Sequence, residues 1–349
     1  MRRGATSQRT DTPEDIKRHY EAPASTKALV AKTRLEIRRI LEGADDRALL
    51  ICGPCSIHDV NEGLEYARRL ATLSSNVADA VLVVMRTYLE KPRTTLGWKG
   101  LMHDPALDGS CDVDRGIKVS REFLIRVNEI GIPCAYECLD VVTPAYIADL
   151  VSWVAIGART VQSQVHRQLA SGLCMPVGFK NATTGDVSVA ADALVASLSA
   201  HRFLDVSQDG TVVVVTTTGN KDTHVILRGG TGGPNYDKKH VEAAVAILER
   251  RGLRTNLMID CSHGNSGKNH ERQPIVCEDI RRQIASGSTA IVGLMIESNL
   301  LGGRQDICKG TPLAYGKSIT DACVSFATTR TMVLGIADAV RARRGWINR

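Results

Sequence analysis

The stretch Val81-Leu82-Val83-Val84-Met85-Arg86 is a short apolar run that ends at a single charged residue. Seven other segments follow the same plan, and the polar residues at or just beyond their ends are Cys55, Glu137, Arg159, Lys180, Arg228, Asp260 with His263, and Glu297. Most of these runs are separated by stretches in which apolar residues recur at helical spacing. Short apolar strands that alternate with amphipathic helices are typical of a parallel sheet covered by helices. Eight such strands predict a closed (β/α)8 barrel, the TIM-barrel architecture of the α/β class.

The same pattern predicts the order of elements along the chain. Residues 1–24 are polar and are predicted to form a loose arm, and residues 26–41 a helix. The barrel strands are predicted at 48–53, 81–86, 132–137, 153–159, 176–180, 223–228, 256–260 and 290–297. The intervening helices are predicted at 62–75, 115–130, from Pro144, and at 163–171, 187–199, 237–251 and 278–286. A helix over 319–340 is expected to close the chain.

An insertion interrupts this alternation. Residues 203–207 and 211–217 have the alternating pattern of strands, and Gln208-Asp209-Gly210 between them is typical of a turn. We therefore predict a β-hairpin over about 203–217, inserted before the sixth barrel strand. The domain organisation expected is an N-terminal arm and helix over 1–45 and a catalytic barrel over 46–345.

Composition limits the class of protein. The chain has 349 residues, of which 43% are hydrophobic, and no run approaches the roughly 18 apolar residues that span a bilayer. Its start, Met1-Arg2-Arg3-Gly4, has no apolar segment behind the charges, so we expect a cytoplasmic protein that does not bind membranes. The net charge of +6 is accompanied by 4% aromatic residues and no basic block outside residues 341–344. We therefore do not expect a nucleic-acid partner.

Barrels of this kind carry their chemistry at the C-terminal ends of the strands, which we call the barrel mouth. Candidate metal ligands expected there are Cys55, His263, Glu297 and Asp321. A thiolate, an imidazole and two carboxylates suit Mn²⁺, Fe²⁺, Co²⁺ or Zn²⁺ better than Mg²⁺ or Ca²⁺. Each residue alone also has a structural interpretation: a core position for Cys55, packing on a helix N-terminus for His263, and a helix cap for Asp321.

A set of cations is expected at the same mouth. Arg86, Arg159, Lys180 and Arg228 end apolar strands, and Lys91 and Arg93 lie in the adjacent loop. Because a buried charge is costly unless it is paired, this convergence indicates ligands with several negative charges, such as phosphorylated compounds. Charges that are solvated or paired on loops are the alternative for any single residue. The chain lacks the glycine-rich phosphate loops of nucleotide-binding proteins, so no nucleotide cofactor is expected.

At these positions the sequence resembles the type I 3-deoxy-D-arabino-heptulosonate 7-phosphate (DAHP) synthases, from about residue 26 to 340. The motifs that carry the resemblance are Gly53-Pro54-Cys55-Ser56-Ile57-His58-Asp59, Lys91-Pro92-Arg93-Thr94-Thr95, Gly157-Ala158-Arg159-Thr160, Ser163-Gln164-Val165-His166-Arg167, Pro176-Val177-Gly178-Phe179-Lys180-Asn181, Leu227-Arg228-Gly229-Gly230 and Gly316-Lys317-Ser318-Ile319-Thr320-Asp321. The resemblance implies condensation of phosphoenolpyruvate with erythrose 4-phosphate and water, the first committed step of the shikimate pathway. It also implies a divalent metal on a (β/α)8 barrel.

The resemblance further implies roles for individual residues. The metal ligands fall on Cys55, His263, Glu297 and Asp321. The substrate-binding set falls on Arg86, Lys91, Pro92, Arg93, Thr94, Ala158, Arg159, Lys180, Arg228 and Asp321, with residues 91–94 as the erythrose 4-phosphate loop. The catalytic set is Lys91 as proton donor, Cys55 and His263 at the metal, and Glu137 as a group that positions water.

Two other functions remain open at this point. One is the same condensation with a different aldehyde, for example an amino or imino sugar phosphate in a secondary-metabolite pathway. The other is a phosphosugar-binding protein without turnover. Val154, Cys174 and the segment 326–328 depart from the family pattern, and the arm resembles it weakly, so we expect weak or absent inhibition by Phe, Tyr or Trp. We expect a homo-oligomer, a dimer or tetramer, with the hairpin and the arm as contact surfaces.

Overall fold

The computed structural model describes residues 6–308 and 310–347. The strands are β1 (Ala48–Gly53), β2 (Val81–Arg86), β3 (Cys134–Glu137), β4 (Trp153–Ile156), β5 (Val177–Lys180), β6 (Arg202–Val206), β7 (Val212–Thr216), β8 (Thr223–Leu227), β9 (Leu257–Asp260), β10 (Ile291–Asn299) and β11 (Val324–Ser325). The helices are α1 (Pro13–His19), α2 (Ala24–Leu41), α3 (Val60–Val77), α4 (Val113–Glu129), α5 (Pro144–Ile147), α6 (Gln164–Gly172), α7 (Ser188–Leu198), α8 (Lys238–Glu249), α9 (Gln273–Ala285) and α10 (Phe326–Ile347). None of these helices has both the length and the apolar character needed to cross a membrane.

The strands β1 to β5 and β8 to β10 form a closed barrel. Neighbouring strands pair in parallel, and β10 returns to pair with β1 in parallel register, so that Gly53 lies opposite Glu297. Helices connect successive strands on the outside, as parallel pairing requires. The predicted TIM barrel is confirmed.

The interior of the barrel follows from the alternation of side chains along each strand. On β2, Leu82 and Val84 belong to the apolar cluster inside the barrel, whereas Val83 and Met85 belong to the cluster under the helices. Arg86 continues the inward-facing series, which places its guanidinium at the mouth. At the opposite end, residues of α2 join the interior cluster and close the bottom of the barrel.

Two predicted barrel strands extend beyond the C-terminal ends of the observed strands. The strand predicted over 153–159 ends at Ile156, because the N–H groups of Thr160 and Val161 bond back to the carbonyl of Gly157 and form a tight turn. Arg159 therefore lies exposed in that turn, and its prediction as a strand end was wrong. Arg228 lies one residue beyond β8.

The predicted hairpin is present as β6 and β7. The two strands pair antiparallel, with Leu204 opposite Val214 and Val206 opposite Val212. The hairpin lies between α7 and β8, before the sixth strand of the barrel, as predicted. Its strands do not pair with the barrel.

The N-terminal segment is more ordered than predicted. Residues 1–5 lie outside the described residues, but α1 forms within the segment expected to be a loose arm. Thr12 caps this helix, the N–H of Glu14 donates to the carbonyl of Gln208 at 2.9 Å, and Arg121 donates to the carbonyl of Tyr20 at 2.8 Å. These contacts with the hairpin and the barrel, rather than local propensity, hold the segment in place.

The closing helix begins later than predicted. Residues 319–325 form a loop and β11, which pairs Val324 with Ser298 of β10. The backbone N–H of Cys323 donates to the carbonyl of Gly303 at 3.1 Å. This pairing holds the chain extended up to Ser325, so α10 begins only at Phe326, and Asp321 lies in the loop above the mouth.

Candidate active site at the barrel mouth

Three potential metal ligands meet at the mouth. One ligand atom from each of Cys55, Glu297 and Asp321 lies within 4.8 Å of the other two. Among the described residues, these three side chains form the cluster that could hold a metal ion. Cys55 and Glu297 are fully buried, whereas the Asp321 side chain is 64% exposed. The group therefore combines two fixed ligands with one that lies on a loop.

His263 lies beside this group and is held by a carboxylate. Its Nδ1 is 2.9 Å from an oxygen of Asp260, and its Nε2 is 3.8 Å from Oε1 of Glu297. The backbone of His263 is in the left-handed region, at φ 56°. Burial disfavours the Asp260 carboxylate, but the charges of His263 and Lys180 outweigh burial and hold its pKa well below its usual range. A histidine that bonds a carboxylate through one nitrogen presents the other to a metal in a fixed orientation.

Glu297 is held on every side. The side-chain amide of Gln273 donates to its carbonyl and accepts from its N–H, both at 3.0 Å. Ser262 donates to Oε2 at 2.8 Å, and Arg86 donates to Oε1 at 3.1 Å. Burial alone would raise the pKa of Glu297, but His263 and Arg86 outweigh it and hold the pKa below its usual range. The carboxylate is thus ionised and fixed.

Lys91 contacts the thiol of the same group. Its Nζ lies 2.7 Å from Sγ of Cys55 and 3.9 Å from an oxygen of Asp321. Burial disfavours the ammonium, but attraction to Cys55 and Glu297 outweighs burial and raises the pKa of Lys91. Burial also raises the pKa of the Cys55 thiol to about 12. A charged ammonium at this position can donate a proton into the mouth.

The cations predicted from the strand ends differ in their surroundings. Lys180 is buried and lies 3.1 Å from an oxygen of Asp260. Arg86 is buried between Glu297 and the ring of Tyr88, with its Cζ 3.9 Å from the ring centroid. Arg228 and Arg159 have no ion-pair partner among residues 6–308 and 310–347. Unpaired cations next to paired ones can bind an anionic ligand.

Glu137 lies at the same mouth, and its carboxylate makes no hydrogen bond or ion pair with the rest of the described chain, although its backbone pairs with Ala155 in the barrel. An added Cβ at Gly157 would lie 2.3 Å from its Oε1, so the glycine leaves room for the carboxylate in this position. Glu137 is 6% exposed. A buried carboxylate without a protein partner needs water or a ligand.

The loop after Lys91 is open to solvent. Arg93 and Thr94 are exposed, and Pro92 and Ala158 are half-buried. Among the described residues, Arg93 and Thr94 form no hydrogen bond or ion pair with Cys55, Glu297 or Asp321. The structure therefore brings together Cys55, Glu297, Asp321, His263 and Lys91, and leaves this loop apart from them.

Sequence reasoning missed the residues that hold the ligands in place. Gln273, Ser262 and Tyr88 were not singled out as functional, and Asp260 was noted only as a strand end. For Asp260 the signal was present, because it ends an apolar strand as the other site residues do. For Gln273 there was none, since a polar first residue of a helix is ordinary.

Comparison with known proteins agrees with this arrangement. A model of the DAHP synthetase I family matches residues 21–333. The chain belongs to the DAHP synthetase I family. Within it, the chain is 49% identical to the Phe-sensitive phospho-2-dehydro-3-deoxyheptonate aldolase of Escherichia coli K12, with 95% of each chain covered. It is 51% identical to the tyrosine-inhibited phospho-2-dehydro-3-deoxyheptonate aldolase of Schizosaccharomyces pombe, with 93% of this chain and 89% of that protein covered.

A solved structure of the family has the same fold. The phospho-2-dehydro-3-deoxyheptonate aldolase of Francisella tularensis superposes with a TM-score of 0.95 at 47% identity, and the match covers 97% of this chain and 99% of that one. The likeness therefore extends over the whole barrel together with its hairpin and N-terminal helices.

Proposed function

We propose that this chain catalyses the condensation of phosphoenolpyruvate with D-erythrose 4-phosphate and water, giving DAHP and phosphate. The observation that carries the proposal is membership of the family over residues 21–333, with relatives about half identical that are named for this activity. The enzyme is a 3-deoxy-7-phosphoheptulonate synthase, a transferase that supplies aromatic amino acid biosynthesis through the shikimate pathway.

We propose that Cys55, His263, Glu297 and Asp321 hold a divalent metal ion. The donor set supports this, because a buried thiol and carboxylate lie within reach of Asp321, and the free nitrogen of His263 faces Glu297. A mixed set of sulfur, nitrogen and oxygen donors fits Mn²⁺, Fe²⁺, Co²⁺ or Zn²⁺. When bound, the metal would supply Lewis-acid polarisation of the aldehyde.

The cations are proposed to bind phosphoenolpyruvate. Its phosphate and carboxylate would be held by Arg86, Lys91, Arg159, Lys180 and Arg228, together with the backbone at Ala158. Arg159 and Arg228 have no ion-pair partner in the part of the chain that the structure describes, and this supports the assignment. The two substrates are anions that repel each other. Holding them in one orientation lowers the entropic part of the activation barrier.

The exposed loop from Lys91 to Thr94 is proposed to bind erythrose 4-phosphate. Pro92 fixes the backbone, and Arg93 provides a fork for the phosphate. Lys91 belongs to both substrate sites, which its position beside Cys55 supports. When C3 of phosphoenolpyruvate attacks the aldehyde carbon, the aldehyde oxygen becomes an alkoxide. The Nζ of Lys91 would donate a proton to this alkoxide.

Glu137 is proposed to position the water. As the new C–C bond forms, positive charge develops at C2, and nearby carboxylates stabilise it. Water held by Glu137 adds at C2 and gives one proton to the Glu137 carboxylate. The C–O bond between C2 and the phosphate then breaks, the C2 carbonyl forms, and the second proton leaves with the phosphate. The unpartnered carboxylate of Glu137 supports this role.

The activity can be tested directly. Purified protein supplied with Mn²⁺ should consume phosphoenolpyruvate and release an equal amount of phosphate only when erythrose 4-phosphate is present. Chelator should abolish the reaction, and added metal should restore it. No consumption with any of the four metals would overturn the proposal. A higher kcat/KM for an amino or imino sugar phosphate would instead favour the variant aldehyde.

We propose that the enzyme is a cytoplasmic homo-oligomer, a dimer or tetramer. One face of the hairpin exposes Leu204 and Val212, by 71% and 72%. A contiguous exposed apolar face supports contact with a second copy. All ten cysteines are free, which supports a reducing compartment. Light scattering after gel filtration should give a mass above one chain, and Val212→Asp should lower it.

A further inference from the structure

Three loops at the mouth meet backbone to backbone. They are the loops after β5, β8 and β9: the first follows Lys180, and the other two carry Arg228 and His263. An added Cβ at Gly229 would lie 2.5 Å from the backbone N of Asn265, and one at Gly230 would lie 2.2 Å from the backbone N of Gly185. No side chain of ordinary size fits between these loops. Their peptide groups must therefore find hydrogen-bond partners within the junction.

Three buried asparagines provide those partners, and we call them the asparagine cluster: Asn181, Asn235 and Asn265. Asn181 accepts from the N–H of Arg228 at 2.8 Å, and Asn235 accepts from the N–H of Gly229 at 2.7 Å. Asn235 also donates to Asn181 at 3.2 Å, and its own N–H donates to Asn265 at 2.8 Å. Each loop is thus bonded to another through at least one amide side chain.

Asn235 links the other members of the cluster. It is the member that bonds both of the others and also the peptide that follows Arg228. It is 7% exposed and carries no charge. Its backbone N–H makes the bond to Asn265, whereas its side-chain amide bonds Asn181 and the N–H of Gly229. That buried amide fixes the backbone on which Arg228 stands, without contacting a ligand itself.

We infer that Asn235 is a positioning residue for phosphoenolpyruvate: through the asparagine cluster it sets the spacing between Arg228 and Lys180 and so preorganises the phosphate site. The inference rests on the proposed function only for the identity of the anion. It means that the affinity for the phosphate depends on the side-chain amide of Asn235, which does not itself contact the phosphate. The erythrose 4-phosphate loop is on another part of the mouth and does not depend on Asn235.

Asn220 offers a matched control. It is also 7% exposed, and its amide donates to the carbonyls of Ala170, Leu173 and Met175 while accepting from the N–H of Asp222. These bonds join α6 to the starts of β5 and β8, at the end of the barrel opposite the mouth. Loss of the Asn220 side chain therefore removes four buried hydrogen bonds, against two for the Asn235 side chain, without reaching Arg228.

The experiment measures phosphoenolpyruvate binding by calorimetry in metal-free protein, and KM for each substrate in the Mn²⁺ enzyme. Asn235→Ala should weaken phosphoenolpyruvate binding by about tenfold or more and raise KM for phosphoenolpyruvate, with KM for erythrose 4-phosphate changed less than about twofold. Asn220→Ala should lower the unfolding midpoint at least as much as Asn235→Ala does, and it should leave both KM values unchanged. Equal behaviour of the two variants would overturn the inference.

A double-mutant cycle gives a second test. Because Asn181 and Asn235 act as one unit, the Asn181→Ala/Asn235→Ala protein should bind phosphoenolpyruvate no more than about twofold more weakly than the weaker single variant. Additive losses would overturn the inference. If Asn235→Ala does not fold, Asn235→Ser and Asn220→Ser make the same comparison. A wild-type protein that neither binds nor consumes phosphoenolpyruvate would overturn the proposed function itself, and the inference with it.

Discussion

Replacement of Gln273 by methionine is expected to destabilise the chain and weaken metal binding, although Gln273 touches no substrate. Gln273 is fully buried at the start of α9, and its amide pairs with both the N–H and the carbonyl of Glu297. Methionine has nearly the same length and can fill the space, but it can neither donate nor accept these bonds.

The magnitude follows from the groups left behind. Each buried polar group without a partner costs about 1–3 kcal/mol, so two of them cost roughly 2–6 kcal/mol. Packing of the methionine side chain offsets part of this, and we expect a loss of about 3 kcal/mol in the free energy of unfolding. Glu297 would also lose its fixed orientation, and loss of a residue that orients a metal ligand typically weakens metal affinity about 10–100-fold.

The assay is urea unfolding of the metal-free protein, followed by competition for Mn²⁺ with a fluorescent chelator. Gln283 on the same helix is the matched control. Gln283 is half-buried, and its side-chain amide donates to the carbonyl of Tyr236 at 2.8 Å. In Gln283→Met, a water molecule can therefore donate to that carbonyl in place of the amide. That variant should lose about 1 kcal/mol or less and keep its metal affinity. Similar losses in the two variants would refute the reasoning.

Three further predictions follow. Lys91→Met should lower kcat by about 10²–10⁴-fold, because the proposed proton donor would be lost. Lys99 is an exposed lysine in the same loop, and Lys99→Met should leave kcat nearly unchanged; equal kcat values in steady-state assays would contradict this. Burial raises the pKa of Glu90 to about 8 from its ordinary value of 4.5, so the folded chain keeps a proton that the unfolded chain releases. Stability should therefore fall as pH rises from about 4.5 to 8, by up to roughly 1.4 kcal/mol per pH unit, and Glu90→Gln should remove this slope in urea unfolding; parallel curves for the two proteins would contradict it. Inhibition by Phe, Tyr or Trp should be weak or absent, since Cys174 and the arm depart from the family pattern, and strong inhibition at micromolar concentrations in the activity assay would contradict this.

The barrel was predictable because each strand is a short apolar run with a clear end. Arg86, Glu137 and Lys180 end their strands as expected, whereas the metal-ligand candidate Glu297 lies two residues before the end of β10 at Asn299. The pattern failed at Arg159, because Gly157 and Ala158 are apolar and small and do not mark the turn that follows Ile156. Apolar periodicity cannot distinguish such a turn from a few more residues of strand.

Elements that depend on distant contacts were not predictable. The helix α1 is short, and contacts with the hairpin and the barrel hold it. The start of α10 was placed too early because nothing local reveals that Cys323 pairs with Gly303. The partners of Glu297 were missed for the same reason: Gln273 lies 24 residues away, and its role appears only when α9 packs beside β10.

The contact between loop backbones around Gly229, Gly230 and Gly264 has a consequence for how this enzyme can change. Barrel enzymes commonly acquire new chemistry by exchanging single loops on a constant scaffold. Here a new loop after β8 would meet the backbone of two neighbours with no space for a side chain, since an added Cβ at Gly264 would lie 2.5 Å from the backbone N of Gly230. Grafting one loop should therefore fail where grafting all three together succeeds, because the three loops must match one another backbone to backbone.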